Sequence, residues 1–167
     1  MQIGVRRRAI VVSALGLAFL LIAAAIGLAL SGASGKGATS VVPRVGQDHW
    51  HARIAFYVRG AKQPNAPTWE GGVHTHGDGI IHIHPFNDFE EGRGARLVKW
   101  FEYGGGQLTA DTIRWPGSQH SYTNGEPCND FTLGVIHVYV NGDPVFDWSE
   151  YIPQDGDSIV IDFGPLP

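Results

Sequence analysis

The sequence is poor in sulfur and in lysine. Among 167 residues there is one cysteine, Cys128, one methionine, Met1, and three lysines. A single cysteine excludes an internal disulfide, even in an oxidising compartment. Two readings of Cys128 remain open, an exposed thiol that pairs between chains and a buried inert one. A blue-copper centre needs Cys, Met and His together, and with Met1 as the only methionine it is excluded. The signatures Gly-x-Ser-x-Gly, the P-loop and His-Glu-x-x-His are also absent. That removes the hydrolase elbow, the phosphate cradle and the zincin helix. No repeat of solenoid length occurs.

Charge is missing altogether from residues 9–30, AIVVSALGLAFLLIAAAIGLAL. Twenty-two residues at the helical rise reach about 33 Å, enough to cross a hydrocarbon core of about 30 Å. Arg6, Arg7 and Arg8 precede the run, so the positive-inside rule places residues 1–8 in the cytoplasm and the C-terminal part outside. The expectation is a single-pass anchor in the cell membrane. A cleaved signal peptide is the alternative, because the small residues SGASG at 31–35 can hide a cleavage site; its apolar region is usually shorter, about 7–15 residues. No lipobox-type cysteine follows the run. Without the three arginines, nine cationic residues face sixteen acidic ones, a net charge of −7 for residues 31–167. Nucleic acid is therefore excluded as a partner, and cations suit this surface better.

Residues 31–47, rich in Gly and Ser, read as a flexible linker. The folded domain is expected over residues 48–167. HWHARIAFYV at 49–58 alternates like a strand, with Trp50, Ile54 and Phe56 on one face and His49, His51, Arg53, Ala55 and Tyr57 on the other. AKQPNAP at 61–67 is a loop. GGVHTH, GDG and IIHIH read as strand, turn and strand, ended by Pro85. GARLVKWFEY at 94–103 carries the one expected helix, with Glu90 and Glu91 near its positive end and Gly104–Gly106 as its stop. Residues 107–115 look like a strand, and 115–130 are rich in turn formers. GVIHVYV at 134–140, the turn Asn141-Gly142-Asp143 and the closing strand SIVIDF complete the chain. The fold class expected is α+β, mostly β with one helix. The ending, VNG followed by DGDSIVIDFG, is similar to the last strands of β-grasp domains, an analogy of fold alone.

All eight histidines lie in this domain, and six form His-x-His pairs: His49/His51, His74/His76 and His82/His84. On a strand, residues two apart point the same way with Cα atoms about 6.5 Å apart, so both imidazoles can lean onto one ion. The hairpin brings two pairs side by side, and a neighbouring first strand adds the third. Three or four neutral imidazoles complete a first shell for zinc or copper. All six are candidate metal ligands, with Asp48 and Asp78 placed to orient them from behind. Asp78 also has a simpler role in the Asp-Gly turn. His137, in an apolar strand, reads as a satisfied core histidine. His120 in a turn has no evident role.

HTHGDG lacks the last histidine of the His-x-His-x-Asp-His pattern of metallo-β-lactamase-like hydrolases, since position 79 is Gly. The cupin pattern fails too, because no Glu follows His76 or His84 at its spacing. Instead DHWHA at 48–52, GGVHTHGDGIIHIHP at 71–85 and the ending VNGDPV…DGDSIVIDFG together resemble a group of uncharacterised prokaryotic envelope proteins. These join an N-terminal membrane segment to a HWH…HTHGDGxIHIH domain, in actinobacteria and more distantly in archaea. The resemblance covers most of residues 48–164 and implies an exported domain without implying an activity. Some of these proteins have a second cysteine near the position of Arg59, which this chain lacks.

Three functions stay open. A membrane-anchored, extracytoplasmic copper- or zinc-binding domain for metal capture, delivery or sensing is the first. A metal-free envelope interaction module with a structural or pH-responsive histidine network is the second. A small metal-dependent enzyme is the third, for which Asp78 or Glu70 is the available base. No protein partner is named by the sequence.

Overall fold

A computed structural model of the chain describes residues 42–128 and 131–165. The basic segment 1–8, the apolar run 9–30 and most of the linker lie outside the described residues. Among the described residues, no helix is long and apolar enough to cross a membrane. What is described is a small, mostly-β domain with one α-helix and a mixed sheet.

The strands are β1 (Trp50–Val58), β2 (Ala61–Lys62), β3 (Val73–His74), β4 (Ile80–Ile83), β5 (Gln107–Leu108), β6 (Thr112–Arg114), β7 (Tyr122–Thr123), β8 (Gly134–Val140), β9 (Asp143–Pro144) and β10 (Ser158–Pro165). Helix α1 spans Leu97–Tyr103, behind a 3-10 turn at Gly92–Ala95. Seven strands make the main sheet in the order β3-β4-β1-β10-β8-β9, with β2 paired to β1; β5, β6 and β7 make a second. The central pair β1 and β10 is parallel, and β4 and β8 flank it antiparallel.

Strict alternation divides the main sheet into two faces. Ala52, Ile54, Phe56, Ile81, Ile83, Ile136, Val138, Ile159, Ile161 and Phe163 are buried on the inner face. Helix α1 belongs to the same core through Leu97, Trp100 and Phe101, each 0 % exposed. Burial of such side chains is worth about 1.5–3 kcal/mol apiece. Trp100 stands against Trp69, Phe101 and Trp115, with ring centroids 4.8, 5.3 and 5.6 Å away. The opposite face of β1, β4 and β3 carries histidines.

Several local expectations change. The helix starts at Leu97 and not at Gly94, because Arg96 is extended (ψ 152°) and the Leu97 N–H bonds to the Tyr151 carbonyl at 2.8 Å. Glu90 and Glu91 do not serve the helix start; their carboxylates bind backbone N–H groups elsewhere. The stop is as expected: Gly105 takes φ +71°, Gly106 N–H reaches the Phe101 carbonyl and Gly105 N–H that of Glu102, which is a Schellman ending. Residues 107–115 form a hairpin, not one strand, since Thr109 and Asp111 side chains hold a turn between β5 and β6. The loop at 61–67 begins with the short strand β2. Residues just before Asp48 also pack on the domain: Pro43 is buried, Gly92 N–H bonds its carbonyl, and Gly46 N–H bonds that of Pro85. Cys128 is buried, which favours the inert-thiol reading.

Candidate metal centre

The register of three strands builds the site. His51 faces His82 across β1 and β4, and His82 faces His74 across β4 and β3. One row of three imidazoles therefore crosses the sheet. His49, His84 and His76 lie two residues along from its members, on the same side. Ring centroids run 4.7 Å from His49 to His51, 4.8 Å from His51 to His82, 4.6 Å from His82 to His76 and 4.7 Å from His76 to His74. His84 closes the ring, 4.7 Å from His74 and 4.9 Å from His49. All six sequence-predicted ligands come together.

Two groups have ligand atoms within 4.8 Å of one another: His49, His51 and His82, and His74, His76 and His82. Either could hold a metal ion. His74 and His76 are nearest to that state, with Nε2 atoms 3.2 Å apart. Two nitrogens bound to one tetrahedral ion at 2.0–2.1 Å stand about 3.3 Å apart. Without an ion the same spacing is a hydrogen bond, one ring donating and the other accepting.

Electrostatics favour unprotonated rings. His74, 4 % exposed, has its pKa pushed down to about 4 by burial first, then by the neighbouring rings of His84, His82 and His76. Burial also lowers His82, against the pull of Asp78, and lowers His84, helped by His49. A neutral imidazole keeps the lone pair that a metal needs. Nδ1 of His74 is buried, and the Gly71 backbone beside the ring partly offsets the lowering.

The two expected orienting carboxylates part company. Asp48 turns to Arg44: its oxygens accept from the Arg44 backbone N–H at 2.8 Å and from Nε at 3.0 Å. That hydrogen bond holds the Asp48 carboxyl below its ordinary pKa. Asp78 lies against both the turn and a histidine. Oδ1 accepts from the Ile80 N–H at 3.0 Å and shapes the turn, while Oδ2 lies 3.3 Å from Nε2 of His82. Burial opposes its charge, but the Ile80 N–H and His82 prevail and its pKa is lowered.

Two positioning residues carried no signal in the sequence. Glu90 clamps the base of the β3–β4 hairpin, Oε1 accepting from Gly72 N–H and Oε2 from Phe86 N–H, both at 2.8 Å. Asp155 accepts from the His51 N–H at 2.8 Å, and Gly156 N–H bonds the His51 carbonyl, so one turn grips both backbone groups of His51. His120 and His137 belong to neither triad. His137 is not the satisfied core residue expected: it is half-buried opposite Asp162, and Nε2 has no partner. Glu70 is exposed. A cleft of about 370 Å³ lined by Phe56, Pro64, Trp115 and Tyr122 has no His, Cys, Asp or Glu in its lining.

No protein-family model matches the chain, and neither does any curated protein or solved structure.

Proposed function

We propose that this protein is a membrane-anchored, extracytoplasmic metal-binding domain that takes zinc or copper through its strand histidines and serves capture, delivery or sensing. The observation that carries the reading is the pair of histidine triads on one sheet face, with His74 and His76 already at the nitrogen spacing of a tetrahedral ion. Imidazole ligands suit zinc and copper, and neutral rings suit them at ordinary pH. The uncharged run 9–30 behind three arginines supports the anchor and an outward-facing domain. The parallel pair β1 and β10, flanked by β4 and β8, supports a β-grasp-like reading of the sheet.

The metal-free network is the second reading, favoured by the contacts that already join His74 to His76 and His82 to Asp78. Metal analysis of the full chain in detergent, wild type against His74→Ala/His76→Ala, separates the two. Metal that co-purifies with the wild type and drops in the variant supports the first. Absence of any zinc or copper binding tighter than about 10 μM by calorimetry leaves the second.

A further inference from the structure

The two triads are not independent, because both need His82. Asp78 stands 3.3 Å from Nε2 of that ring. A carboxylate accepts, so the nitrogen facing it carries the proton, and a neutral His82 offers a single lone pair, on Nδ1. One lone pair serves one ion at a time. Bridging two ions requires the ring to lose its second proton, and Asp78 occupies the nitrogen that a second ion needs.

The triads also differ in access and in readiness. His49, His51 and His76 are exposed, whereas His74 is buried, so the second triad alone has a ligand shielded from solvent. The pair of Nε2 atoms on His74 and His76 already has a tetrahedral bite. We infer that the triads are alternating stations for a single ion: His49/His51/His82 loads it from outside, and His74/His76/His82 holds it, with His82 bound throughout. This rests on the metal-binding reading above. In the transfer, two imidazole–metal bonds to His49 and His51 break as two to His74 and His76 form. Each bond broken is replaced by one of the same kind, so the oxidation state of the ion does not change.

Cobalt(II) and zinc(II) titrations of the full chain in detergent test this, with wild type, His49→Ala/His51→Ala, His74→Ala/His76→Ala and His82→Ala compared after circular dichroism confirms folding. The wild type should saturate at one ion. Each double variant should still bind one, and the wild-type cobalt spectrum should match that of His49→Ala/His51→Ala. His74→Ala/His76→Ala should weaken binding on the order of 100-fold, and His82→Ala should weaken it beyond either half-site variant. His49→Ala/His51→Ala should keep its affinity within about tenfold yet load roughly ten times more slowly in stopped flow. Two ions bound per wild-type chain, wild-type affinity in His82→Ala, or an unchanged loading rate in His49→Ala/His51→Ala overturns the shared-station scheme while leaving metal binding intact. No ion bound by the wild type overturns the metal reading itself.

Discussion

The indole N–H of Trp100, at the centre of the core, donates to the backbone carbonyl of His74 at 3.3 Å. A fully buried ring of the helix is thus tied to the backbone of the most buried residue of the histidine cluster, and packing of α1 sets where β3 sits.

Trp100→Phe separates the bond from the packing. It removes the donor to the His74 carbonyl, for about 1–3 kcal/mol together with the lost volume. Trp100→Ala should cost about 3–5 kcal/mol, since a fully buried indole leaves a cavity that its neighbours Trp69, Phe101 and Trp115 cannot fill. Urea unfolding of the chelator-treated protein measures both, and equal losses in the two variants would show that the hydrogen bond, not the ring volume, dominates.

Glu90 makes a comparable link between distant parts of the site. Its two oxygens hold the N–H of Gly72 before β3 and of Phe86 after β4. Glu90→Gln keeps one acceptor and aims an amide donor at the other N–H, so about 1–2 kcal/mol should be lost. Gly72→Ala attacks the same clamp from the other side, because a Cβ there comes 2.4 Å from the carboxylate and 3.0 Å from the His84 carbonyl. Both variants should lower zinc affinity by splaying the hairpin, and a variant that unfolds earlier in urea but binds zinc as well as the wild type would show that the clamp serves stability alone.

Glu90 and Asp155 mark where the sequence stops being readable. Alternation in HWHARIAFYV, GGVHTH and IIHIH put six histidines on one side of three short segments, and the further requirements were the β3–β4 hairpin and the pairing of β1 with β4, which neighbouring segments form easily. The turn Asn141-Gly142 was equally legible, since its φ values of +54° and +92° suit those residues. Glu90 meets Gly72 across eighteen residues, and Asp155 meets His51 across more than a hundred, through the parallel pairing of β1 with β10. Such contacts leave no periodic trace. Asp48 misled for a local reason: Arg44, one turn earlier, takes its carboxylate before a histidine can. The helix start misled because the tertiary bond from Leu97 to Tyr151 overrides the propensity of residues 94–96.

The lowered histidine pKa values make stability of the metal-free protein depend on pH. A ring at about 4 when folded and near 6.5 when unfolded takes its proton first in the unfolded chain. The unfolded state therefore binds more protons between pH 6.5 and about 4, and stability falls as pH falls through that window, with no contribution above it. At pH 5 the loss from His74 alone is about 2 kcal/mol, with His82 and His84 adding in the same direction. Urea unfolding in chelator at pH 7.5 and pH 5 measures it. His74→Phe should flatten the dependence, and an equally steep one in that variant places its origin elsewhere.

Asp78 invites the sharpest single substitution because its two roles use different oxygens. Oδ1 shapes the turn by accepting from Ile80, and Oδ2 faces His82. Asp78→Asn keeps an oxygen for the turn and so should leave unfolding within about 0.5 kcal/mol of the wild type. It replaces the carboxylate behind His82 by a neutral amide. That removes the anion that selects the ring tautomer and raises the basicity of the ligating nitrogen, and zinc affinity should fall about 10–100-fold. With the charge gone, the pKa of His82 should drop further, because Asp78 is what raises it. Asp78→Ala should show the same loss of zinc together with a destabilised turn. Zinc affinity equal to the wild type in Asp78→Asn would confine Asp78 to turn formation and free His82 Nε2 to act as a ligand.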